Sequence, residues 1–192
     1  YTPRVNGFQL GVSYAPWAGE DGGGQFDRNA NKSDYVMAGA NYKAKMGGMS
    51  VGISAGYGTV TDAEAGAGAD SEPQATAFGV NLGMGAFGVN IATANFEDTG
   101  SADGTAVAGS VTYDTGPVGI SLGYHHGERE GDAAKSGQAE ADVFHLSAKY
   151  SLGMGVAVKS TLGMATYTTD DPTVTDDEHS GTYFVTGLTL GF

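Results

Sequence analysis

Cysteine is missing altogether from the 192 residues, which removes disulfide scaffolds, thiolate metal sites and cysteine nucleophiles together. Basic residues are scarce: nine Lys and Arg stand against 22 Asp and Glu, for a formal net charge of −13 and a pI near 4.4. Nucleic-acid binding draws on clustered cations to neutralise phosphates, so that class of partner is excluded. Long hydrophobic runs are also lacking. The mean hydropathy is −0.19, and no stretch approaches the ~18 consecutive apolar residues that a membrane-spanning helix needs. Neither a basic start nor an apolar run with a small-residue cleavage site follows Tyr1, so the sequence reads as a mature chain or one beginning in mid-protein.

What the sequence has in excess is glycine, 33 residues without a period of three, against a usual share of ~7% and with no collagen-like repeat. It also has alternation. Phe8, Leu10, Val12 and Tyr14 interleave with Gln9, Gly11, Ser13 and Ala15; Val36 to Tyr42 on even positions interleaves with Met37, Gly39, Asn41 and Lys43. A period of two marks strands with two unlike faces, where a helix would repeat every three to four residues. The split recurs through Met49 to Tyr57, Phe78 to Met84 (with Asn81 on the polar side), Phe87 to Ala94 (with Asn90), Val107 to Tyr113, Val118 to His125 and Phe144 to Tyr150. His145, Ser147 and Lys149 lie on the polar side of the last of these. Two further strands, about Val156 to Tyr167 and about Tyr183 to Phe192, bring the expected number to about ten.

Many of these segments approach ten residues, the length that crosses a bilayer core at a tilt of ~45°, whereas soluble strands average nearer ~5–6 residues. Connections alternate in length. Short turns are expected at Met46 to Gly48, Gly85 to Ala86, Thr115 to Pro117 and Gly153 to Gly155. Long polar loops are expected at Ala18 to Lys32, Asp62 to Pro73, Glu97 to Gly104, Glu128 to Gln138 and Thr169 to Ser180. Short turns at one end and long loops at the other belong to up-and-down barrels in outer membranes. The polar face is mostly Gly, Ser, Asn, Thr and Ala, where a soluble sandwich would present many charges to water. A closed sheet in lipid, with apolar residues outward and small polar ones lining a lumen, accounts for both faces. Tyr14, Tyr42, Tyr57, Tyr113, Tyr124, Tyr150 and Tyr167 are expected to form aromatic girdles.

The opening Tyr1-Thr2-Pro3-Arg4, with Gly7-Phe8-Gln9-Leu10-Gly11-Val12-Ser13-Tyr14-Ala15-Pro16, resembles a mid-chain segment of Gram-negative general-diffusion porins. The ending Gly187-Leu188-Thr189-Leu190-Gly191-Phe192 resembles the terminal strand of the same family, whose last residue is an aromatic. The resemblance implies one porin barrel domain over residues 1–192, set in outer-membrane lipid: part of a sixteen-stranded, trimeric, water-filled channel for ions and small hydrophilic solutes. It implies no cofactor. The constriction loop of the family precedes the matching segment, so the expectation is a chain lacking its first strands, with a free-standing ten-stranded barrel as the alternative, and none of that loop's residues can be carried over.

The site residues expected on this reading line the pore: Asn41, Lys43, Lys45, Asn81, Asn90, His145, Lys149 and Lys159, with Phe192 pointing to lipid where the barrel closes. No catalytic residue is expected. Adjacent His125 and His126 should point to opposite faces, so their rings cannot converge on one metal. No Gly-x-Ser-x-Gly nucleophile elbow is expected, and Ser, His and acidic residues occur without telling spacing. Asp170, Asp171, Asp176 and Asp177 could supply oxygen ligands to Ca²⁺, but the spacing of known calcium loops is absent and a solvated acidic loop is preferred. Two rivals to the channel remain at this point: a non-conducting outer-membrane anchor or adhesin, and a soluble β-sandwich binding module.

Overall fold

The computed structural model describes residues 1–16, 33–62, 73–97, 103–130, 137–169 and 178–191. Ten strands lie in them: β1 (Phe8–Ala15), β2 (Ser33–Met46), β3 (Met49–Asp62), β4 (Gln74–Met84), β5 (Phe87–Glu97), β6 (Gly104–Thr115), β7 (Val118–Arg129), β8 (Ala139–Gly153), β9 (Val156–Thr169) and β10 (Glu178–Leu190). They form one antiparallel sheet in sequence order, each strand hydrogen-bonded to its chain neighbours. This is the up-and-down, all-β architecture expected from alternation.

Four short connections fall where the sequence places them, and the backbone shows why glycine is there. Gly47 and Gly48 have φ of 55° and 87°, the doubly positive pattern of a two-residue hairpin whose twist matches its strands. A fifth turn, which apolar alternation does not mark, precedes β1. Asn6 (φ 50°) and Gly7 (φ 89°) reverse the chain so that Val5 bridges Phe8 and the Thr2 amide donates to the Leu10 carbonyl at 2.8 Å. Asn-Gly is the strongest short hairpin signal a sequence carries. Residues 1–5 therefore run beside β1 on the side away from β2.

The strands extend further toward the long-loop end than apolar alternation suggests. β8 begins at Ala139 and β10 at Glu178, not near Phe144 and Tyr183; β7 reaches Arg129. Apolar residues are needed only where a strand meets lipid, while the hydrogen-bond ladder continues beyond it with polar side chains.

Directly paired residues share a face, so the register fixes which side chains line up across the sheet. One row on the apolar face runs Val111, Leu122, Leu146, Leu162, Phe184. The neighbouring polar row runs Lys43, Gly52, Asn81, Asn90, Ser110, Gly123, His145, Gly163, Tyr183. Among the described residues no second layer covers the apolar face: Leu122 is 58% exposed and Phe184 66%, and only Val60 and Ala157 are buried apolar positions. A soluble sandwich stacks two apolar faces ~10 Å apart; the described strands form one sheet in sequence order and no such stack.

Tyr14, Tyr42, Tyr57, Tyr113, Tyr124 and Tyr150 lie on the apolar face, in register with its aliphatic rows. Tyr167 does not. It pairs with His179 and Ala141 and so belongs to the polar face, because an odd position in β9 is on the side of Gly163 and Lys159. The expected place of Tyr167 in a lipid-facing girdle is corrected accordingly.

Candidate functional site

The two faces of the sheet differ in chemistry and in relief. Four recesses are lined chiefly by side chains of the polar face, among them Lys43, Ser50 and Asn81 in one, Ser54, Ala77 and His125 in another, Arg129 and Tyr167 in a third, and Asp114, Ser147 and Lys159 in the fourth. Recesses form on the inside of a curve. The polar face is thus concave and the bare apolar face convex.

All eight positions read as polar from the sequence fall on the concave face. Asn41 pairs with Gln9 and Ser54. Lys43 and Lys45 pair with Gly52 and Ser50, and Asn81 pairs with Asn90. His145 pairs with Gly123, and Lys149 lies directly opposite Lys159. Like charges directly opposite destabilise a sheet by a few tenths of a kcal/mol or more, so this pair is not there for stability. Phe192 and the carboxylates of Asp170, Asp171, Asp176 and Asp177 lie outside the described residues. Leu188 and Leu190, the described alternating residues before Phe192, are on the convex face.

The structure adds residues that strand-by-strand reading passed over. Arg4 reaches the concave face from outside β1, donating to the Gly7 carbonyl at 2.6 Å and to Gln9 Oε1 at 2.9 Å, with a further bond to Asn41 Oδ1. Asp114 continues the row of Lys149 and Lys159 through Gly119; a Cβ placed on Gly119 would lie 2.7 Å from its carboxylate oxygen. Its alternation with Ser110 and Thr112 could have disclosed it.

Glycine on this face provides floor space. The His145 imidazole lies over Gly123 and the Tyr183 ring over Gly163, where any Cβ would collide with the ring. Large lumenal side chains can therefore lie flat across the neighbouring strand. Substituting Gly163→Val is expected to destabilise the protein by about 1–3 kcal/mol through overpacking, and to cost much less in a Tyr183→Ala background. Denaturant midpoints of the single and double variants check this.

His125 and His126 do point to opposite faces. His126 stands on the convex face at the loop end, with Nδ1 3.0 Å from Asp142 Oδ1 and Nε2 3.0 Å from Glu128 Oε1; the Tyr124 hydroxyl donates to the same Asp142 oxygen. All three members of the cluster are part-exposed, His126 at 28%, Glu128 at 39% and Asp142 at 36%. Among the described residues no group of three or more His, Asp and Glu is placed to hold a metal. The string Gly-x-Ser-x-Gly does occur, at Gly48–Gly52, Gly52–Gly56 and Gly119–Gly123. A nucleophile elbow needs that string at a strand-to-helix turn; here Ser50, Ser54 and Ser121 lie within β3 and β7, and the described residues contain no helix.

An antiparallel sheet with a concave polar face and a bare apolar convex face defines an outer-membrane β-barrel protein. Residues 1–171 match the family of Gram-negative porins, and the chain belongs to that family. Its place is the outer membrane. None of the curated proteins matches the sequence. Among solved structures, the chain is similar to a loop L8 deletion mutant of OmpT, an outer membrane protein of Vibrio cholerae, with a TM-score of 0.60 and 16% identity. The likeness covers 97% of this chain and 59% of that one, so this chain spans 59% of its neighbour's length; at such identity the likeness speaks for the fold.

Proposed function

We propose that this chain forms the wall of a water-filled channel through which ions and small hydrophilic solutes diffuse passively, and that it carries no enzymatic activity. The observation that supports this best is the contrast between the faces: the recessed face is polar, glycine-rich and dotted with lysines, while the opposite face is apolar and bare among the described residues. A hydrated lumen selects by width and by the charge of its lining, without a binding pocket. On this reading Asn41, Lys43, Lys45, Asn81, Asn90, His145, Lys149 and Lys159 line the pore. The assembly is a homotrimer of sixteen-stranded barrels, as in the resemblance, with no cofactor.

Planar-bilayer recording tests the reading. The full-length protein should insert with discrete, stable conductance steps that persist without any added substrate. An insertion-competent protein that produces no steps would favour the non-conducting anchor instead.

A further inference from the structure

Resting on the channel reading, we propose that the recess around Lys43 and Lys45 is a stopping place for the carboxylate or phosphate group of a small solute in transit. The recess measures about 530 Å³ and is lined by Lys43, Lys45, Ser50, Asn81 and Asn90 over a floor that includes Gly52 and Gly83. That volume is in the range of small-molecule sites, ~300–1,000 Å³.

Its chemistry is one-sided. Lys43 and Lys45 are two residues apart on β2, so both ammonium groups rise from the same face. Each offers three donors and no acceptor. Ser50 and the two asparagine amides add donors that can turn toward an oxyanion; Asn90 donates to Ser110 Oγ at 3.1 Å, which leaves its second N–H to spare. No carboxylate lines the recess, although the chain carries 22 acidic residues, and among the described residues neither lysine is in a salt bridge. Arg4, anchored on Asn41 in the adjoining row, extends the positive surface. The other lysine pair differs. Asp114 lines the recess that holds Lys149 and Lys159, so a passing anion meets a carboxylate there.

Two ammonium groups with no salt-bridge partner among the described residues, beside one hydroxyl and two amides in an otherwise apolar recess, suit an oxyanion, and multiple charge-assisted hydrogen bonds retain it longer than chloride. Retention must be brief, because a conducting site has to release what it binds.

The test is a titration of the full-length protein in detergent micelles with inorganic phosphate, followed by ³¹P line broadening. Saturable broadening is expected, with affinity lowered about tenfold in Lys43→Gln/Lys45→Gln and within about twofold of the parent in Lys149→Gln/Lys159→Gln. Should the first double variant not fold, Lys45→Gln alone is expected to lose about threefold. Succinate should compete with phosphate. Absence of saturable binding, or equal loss from both lysine pairs, overturns the proposal. Binding lost with Lys43 and Lys45 in a protein that gives no conductance steps would uphold the site and refute the channel.

Discussion

Replacing Leu146 by Arg is expected to destabilise the membrane-inserted protein by about 2–4 kcal/mol, while the same replacement one residue on, at Ser147, is expected to cost about 1 kcal/mol or less. Leu146 sits midway along β8 (Ala139–Gly153) and in the aliphatic convex row with Leu122 and Leu162. A guanidinium there must shed its water at the depth where hydrocarbon is thickest or bend a long way to escape it. Ser147 faces the other way and shares a hydrogen bond with Thr161 across the concave face, Oγ to Oγ1 at 2.8 Å. An Arg in its place loses that bond but keeps its charge in water. Urea unfolding in lipid vesicles measures both. Equal penalties at the two positions would mean that the faces are not differently solvated.

The second large effect is electrical. In the triple variant Lys43→Glu, Lys149→Glu and Lys159→Glu, the reversal potential under a salt gradient is expected to move toward stronger cation selectivity. Each substitution inverts a charge on the concave face, in a chain already at −13. The parent channel is expected to prefer cations weakly, since an acidic protein surface feeds a lumen that is locally basic. The shift should shrink as ionic strength rises, because screening acts over ~10 Å at 0.1 M and ~3 Å at 1 M. An unchanged reversal potential at low salt would show that these lysines do not border the conducting path.

Much of this arrangement can be read along single strands. A period of two settles which face a residue joins as soon as one neighbour is known, so Asn41, Lys43, Asn81, Asn90, His145, Lys149 and Lys159 fall on the polar side from sequence alone. The same periodicity would have put Tyr167 there too; a general preference of tyrosine for membrane interfaces masked it. Strand ends were less legible. From Ala139 and from Glu178 inward the residues are polar or small, and hydrogen bonding to the partner strand, not side-chain chemistry, keeps them extended.

What single strands cannot disclose is who lies beside whom. That Lys149 faces Lys159, that Asp114 ends their row, and that Gly123 and Gly163 are the floors beneath His145 and Tyr183 all depend on cross-strand register. Register follows from turn lengths and bulges such as the one between Ser151 and Gly153, each of which shifts every later pair. The 33 glycines looked like a bare composition anomaly for the same reason: part of their use is to make room for a residue on another strand.

The most direct measurement is a cysteine scan of β8 in the membrane, made clean by the absence of native cysteine. Single cysteines at Phe144, His145, Leu146, Ser147, Ala148 and Lys149 would be exposed to a charged, membrane-impermeant thiol reagent while current is recorded. Positions 145, 147 and 149 are expected to react and to change the conductance, and positions 144, 146 and 148 to do neither. Uniform reactivity along the strand, or reaction confined to the even positions, would contradict a polar lumen wall backed by lipid.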